Sequence, residues 1–114
     1  MSDVDEKPDD KSKAKVYPAQ AVYDTLLAEL TQLAEADLRL AGAPLPSTPG
    51  EMLTVKVRLD SLTVVDVTLE LEPILGFEPK DIVRTGGYDS IQAGLDHMLP
   101  KLEAAWRRKN PAVA

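Results

Sequence analysis

Few side chains in this 114-residue chain are equipped for chemistry. It has no cysteine, which excludes disulfides, thiolate zinc sites, iron–sulfur clusters and a cysteine nucleophile. The single histidine, His97, leaves no imidazole cluster for a transition metal and little material for a Ser/His/Asp triad. It reads as a helix-surface or boundary residue. Thr85-Gly-Gly-Tyr88 has too few glycines and no lysine for a phosphate loop, so it reads as a turn. What remains is the hydroxyl of Ser61, set in Asp60-Ser61-Leu62, and the carboxylates Asp60, Asp66, Glu70 and Glu72 around it. From residue type alone, Asp60 and Ser61 suit a helix N-cap or a hairpin turn. The carboxylates suit an ordinary solvated face and a docking surface for a basic partner equally well.

The composition bounds what these residues can serve. An apolar share of 44% supports a buried core, and the length allows one domain. Thirteen basic against nineteen acidic side chains give a formal charge of −6, which argues against nucleic-acid binding as the main task. No apolar run approaches the roughly 18 residues that span a bilayer, and the polar N-terminus has no signal-peptide core, so the expectation is a cytoplasmic protein without membrane insertion. Residues 1–16 hold five acids and four lysines with little to bury, and read as a disordered charged tail. Residues 17–109 form the predicted domain, and 110–114 a frayed end. A carrier or binding module fits this balance better than a stand-alone enzyme.

The elements that must position Ser61 follow from periodicity. Val22, Leu26, Leu30, Leu33 and Leu38 share one helical face over Pro18–Leu40, with Gly42 as a stop signal. Ala43–Gly50, with three prolines, predicts an extended loop. Leu53, Val55, Val57 and Leu59 alternate with polar residues as a half-buried strand does. The run from Leu62 to Leu71 reads two ways. As a strand it needs a bulge at Val64-Val65 and a hairpin turn at Asp60-Ser61. As a helix it starts from an Asp60 or Ser61 cap and buries Leu62, Val65 and Leu69 beside Val64, Val67 and Leu71. Valine propensity favours the strand; the weakness of Asp-Ser as a hairpin turn favours the helix. Gly76–Pro79 reads as a turn and residues 79–84 as one short helical turn. A final helix, capped by Asp89 or Ser90, carries the stripe Ile91, Leu95, Leu99, Leu102 and Trp106, with a kink or fresh start expected at Pro100.

Asp60-Ser61-Leu62 resembles the modification motif of acyl carrier proteins, and the likeness extends over about residues 18–99. In that family a long first helix and a loop precede Asp-Ser-Leu, which opens a second helix with an acidic exposed face. Here Leu62, Val65, Val67, Leu69 and Leu71 match that helix's apolar positions, and Asp66 and Glu72 its acidic ones. Leu75–Glu78 resembles the turn that follows, and Tyr88–Met98 the fourth helix. Arg58 stands where the family usually has glycine, and Lys101–Lys109 extends past the family's usual end.

The resemblance implies an all-α, antiparallel four-helix bundle with a C-terminal helical extension. The alternative fold is α+β, an αββα domain with a hairpin at 53–72. It also implies a covalent 4′-phosphopantetheine arm on Ser61, a phosphoprotein carrying acyl groups as thioesters in fatty-acid, lipid or secondary-metabolite biosynthesis. Asp60 would stand beside the attachment point. Leu62, Asp66, Glu70 and Glu72 would meet a phosphopantetheinyl transferase and acyl-transfer or synthase enzymes with basic docking surfaces. The arm's thiol would do the chemistry, so the carrier itself needs no acid–base pair. The competing function is an unmodified interaction or adaptor module that binds a protein partner.

Overall fold

The computed structural model describes residues 16–111. The predicted charged tail, Val16 apart, and the last three residues of the predicted frayed end lie outside them. Helix α1, Ala19–Leu40, buries Val22, Leu26, Leu30, Ala34 and Leu38 along one stripe, the predicted face except that Ala34 is buried and Leu33 only half-buried. Full burial of each valine or leucine there is worth roughly 1.5–3 kcal/mol, enough to make α1 the spine of the core. Packed against α1 are α5 (Ile91–Lys109), α3 (Ser61–Leu69) and α4 (Glu72–Leu75), and α2 (Pro49–Thr54) rests on α5. The described chain is all-α, with one isolated antiparallel bridge between Leu59 and Tyr88.

Several sequence expectations give way here. The loop predicted over Ala43–Gly50 ends at Pro49, where α2 begins. Thr48 caps it, its hydroxyl accepting from the Glu51 N–H at 3.1 Å, in a Thr-x-x-Glu capping pattern. The alternating stretch from Leu53 is therefore helical to Thr54 and extended only beyond it. Its buried residues, Val57 and Leu59, pair with the Tyr88–Asp89 backbone and make no hairpin with residues 62–72. The αββα alternative fails for a local reason. The Asp60 carboxylate accepts from both the Thr63 N–H (3.0 Å) and the Thr63 hydroxyl (2.9 Å), which closes the first turn of a helix. That cap outweighs the strand propensity of the valines.

Helix α3 is shorter and turned differently from expectation. It ends at Leu69, Glu70–Leu71 forms a turn, and α4 restarts with Pro73 in its first turn, where a missing N–H costs nothing. Val64, Val67, Thr68 and Leu71 are buried, whereas Leu62, Val65 and Leu69 face outward. No helical turn forms over 79–84; Asp81 there has φ of 59°, outside any right-handed helix.

The C-terminal helix corrects one expectation. Helix α5 runs unbroken through Pro100, with no fresh start. Asp96 and Pro100 both lie on its exposed face, so water can solvate the carbonyl the proline leaves free. Trp106, in the extension, is 4% exposed and stacks edge-on against Tyr17 at 5.5 Å, immediately before α1. The extension thus folds back on the body. Glu103 and Arg107 pair along it, and Asn110 caps its end through the Trp106 carbonyl.

Candidate functional site

Ser61 is the first residue of α3, and the chain entering it is held from two sides. The Arg58 N–H donates to Asp37 Oδ2 of α1 at 3.0 Å. Leu59, 2% exposed, exchanges two backbone hydrogen bonds with Tyr88, both 2.9 Å, and the Val57 N–H donates to the Asp89 carbonyl at 2.9 Å. Gly87 makes that approach possible. Its φ is +80°, and a Cβ built on it would stand 1.9 Å from the Leu59 carbonyl oxygen. Only glycine fits both the dihedral and the gap.

Behind Tyr88 lies a polar network. Its hydroxyl accepts from the Arg84 N–H at 2.9 Å and meets His97 Nδ1 at 2.7 Å. The Arg84 side chain bonds the Gly87 carbonyl at 3.1 Å and lies 4.8 Å from the centre of the Tyr88 ring. Because the hydroxyl already accepts from Arg84, its own proton is free to go to an unprotonated Nδ1. Burial pushes the Tyr88 phenol above its ordinary pKa. His97 is therefore a boundary residue with a structural partner in Tyr88.

Ser61 itself is half-buried, and among the described residues no protein group hydrogen-bonds to its hydroxyl. Asp60 is occupied as the cap. Its hydrogen bonds from Thr63, the backbone one first, hold its pKa below the usual carboxylate value. Ahead of Ser61 the α3 surface is apolar and acidic together: Leu62 is 80% exposed, Val65 and Leu69 each 45%, and Asp66 is exposed among them. Glu70 and Glu72 continue the exposed acids past the end of α3. The fold therefore brings Ser61, Leu62 and Asp66 onto one short helix and leaves Glu70 and Glu72 just beyond its end.

Two grooves flank this helix. One, about 180 Å³, runs between α1 and the Arg58–Thr63 segment and includes Leu40, 90% exposed. The other, about 410 Å³, lies between Val65–Thr68 and residues 78–83. A further cavity, about 490 Å³, lies elsewhere, between Tyr23, Leu27 and Thr31 of α1 and the Leu45–Leu53 segment. Among the described residues no cluster of His, Asp or Glu could hold a metal ion, and no helix is long and apolar enough to cross a membrane.

The contributions of Arg84, Gly87 and Tyr88 to the site escaped the sequence reading. The paired glycines signal a turn, but nothing local says that the turn packs on Leu59. No family model, curated protein or solved structure matches the chain. The class that the coordinates themselves define is an all-α domain with a half-buried serine at the head of a short, largely apolar helix.

Proposed function

We propose that this chain is an acyl-carrier-like protein that bears acyl groups as thioesters on a 4′-phosphopantetheine arm at Ser61. The single observation that carries the reading is the placement of Ser61: first in α3, half-buried, and with no hydroxyl partner among the described residues, although the Asp60 cap immediately before it is fully engaged. The residues present fit such an arm. A phosphodiester on Ser61 would lie at the N-terminus of a nine-residue helix, where the helix dipole favours an anion, beside the Asp60 carboxylate that caps the first turn. Once attached, the arm would supply a thiol for thioester chemistry. Everything else falls to the protein: presenting the serine, and offering partners a recognisable face.

On this reading α1, α3 together with α4, and α5 stand for the first, second and fourth helices of an antiparallel carrier bundle, and the C-terminal half of α5 is an added clasp. The segment 78–88 departs from that pattern, since it is irregular where the family places a short helix. Leu62, Asp66, Glu70 and Glu72 form the docking face. The exposed apolar side chains supply contact area, and the acids steer a basic transferase or synthase into brief encounters. The protein is then no enzyme in its own right and works in the cytoplasm.

The test is intact-mass measurement of the full chain after incubation with coenzyme A and a broad-range phosphopantetheinyl transferase. One added arm is expected on the wild type and none on Ser61→Ala, with both proteins equally helical by circular dichroism. A folded wild type that takes up no arm would favour the second reading, an unmodified adaptor. The exposed row of Leu62, Val65 and Leu69 supports that reading in its own right.

A further inference from the structure

Positive charge gathers at one concave place far along the chain from Ser61. Lys80, from the segment after α4, joins Lys101 and Arg108 of α5 around a cavity of about 340 Å³, whose other walls are Asp81, Ile82 and Ala104. Three cations and one carboxylate leave a formal +2 there, on a chain whose total is −6. Lys101 and Arg108 are seven residues apart and so share a face of α5. The small Ala104 between them leaves the floor open. Ile82 is 4% exposed, so the segment that brings Lys80 is anchored in the core.

The helix dipole explains Arg108, which stands in the last turn of α5. It does not explain Lys101, which lies outside that turn, or Lys80, which comes from another element. Gathering like charges around a cavity raises the energy of the empty site, and an anion placed among them reverses the sign.

We propose that this cavity binds the phosphate group of a phosphate-bearing ligand. A compact dianion matches the local +2. The guanidinium of Arg108 can address two phosphate oxygens at once while the two ammonium groups act as point charges on the rest. The site owes nothing to Ser61, so it stands or falls separately from the carrier reading.

The experiment follows backbone amide shifts of the full-length, isotope-labelled chain during titration with pyrophosphate, at low and at physiological salt. Saturable shifts are expected at Lys80, Lys101, Ala104 and Arg108, weaker as salt rises. The exposed pair Lys101→Gln/Arg108→Gln should fold normally by circular dichroism and bind at least tenfold more weakly. Co-sedimentation with vesicles containing phosphatidic acid, lost in the double variant and without pyrophosphate shifts, would place the phosphate on a lipid headgroup. Non-saturating shifts spread over lysines elsewhere, or equal binding by the double variant, would overturn the site. Self-association that the variant abolishes, with no response to phosphate in either form, would also overturn it and mark the patch as a contact for the acidic α3 of a second copy.

Discussion

Gly86 and Gly87 are neighbours with almost the same backbone angle, φ of 90° and 80°, yet the structure assigns them very different costs on substitution. A Cβ at Gly86 meets nothing within 4 Å, so Gly86→Ala should cost only the left-handed strain, about 1–2 kcal/mol. At Gly87 the same strain is joined by a Cβ placed 1.9 Å from the Leu59 carbonyl, an overlap that the backbone can relieve only by opening the Leu59–Tyr88 bridge. Two mutual hydrogen bonds go with it, and the neighbouring Val57–Asp89 bond loosens. At about 0.5–1.5 kcal/mol each, the two broken bonds raise the expected loss for Gly87→Ala to about 2–5 kcal/mol. Urea unfolding of both variants, with the slope checked for constancy, measures the difference. Because the bridge holds the entry to α3, Gly87→Ala should also slow arm transfer to Ser61 where Gly86→Ala does not. If the two variants lie within about 0.5 kcal/mol of each other, the approach of the turn to Leu59 is wrong, and with it the account of how Ser61 is held.

Three further outcomes follow. Trp106→Ala should cost about 3–5 kcal/mol by thermal or urea unfolding, since it empties a buried aromatic site against Tyr17, and truncation after Pro100 should lower the melting temperature at least as far. Leu62→Ala should leave stability within about 0.5 kcal/mol of wild type yet weaken docking of the transferase, read as a raised KM; Val64→Ala, buried in the same helix, should do the reverse. The pKa of Asp60 is lowered on folding, so the charge-dependent part of its cap should be fully present above the ordinary carboxylate pKa and fade as pH falls through the lowered one. Unfolding of the wild type and Asp60→Ala from pH 7 down to pH 2 should therefore show a gap that narrows only below about pH 4.

The long helices were legible because their signals are local and redundant. Each has a repeated apolar stripe over many turns, and α5 has a serine cap whose hydroxyl accepts from the Ala93 N–H. The segment after Ser61 was ambiguous because two local terms oppose each other, the β-branched run and the Asp60 cap, and only the capped geometry shows which prevails. The outward turn of Leu62, Val65 and Leu69 could not be read, since α3 is apolar on most sides and the choice of buried face depends on where α1 lies. Helix α2 was legible and missed: Thr48-Pro-Gly-Glu51 is a capping pattern, obscured by the prolines before it. The Leu59–Tyr88 bridge carries no sequence signature, because its two sides meet only through the tertiary fold. Ser61 was identified by its tripeptide; what holds it in place was not.

The intact mass of this chain isolated from cells that express it naturally tests the central claim most directly, followed by peptide mapping of the modified fraction. The account predicts a species heavier by one phosphopantetheine arm, the added group located on Ser61, carrying a free thiol after thioester cleavage and absent from Ser61→Ala. A folded chain recovered entirely at its unmodified mass, or with the arm on any other residue, would contradict it.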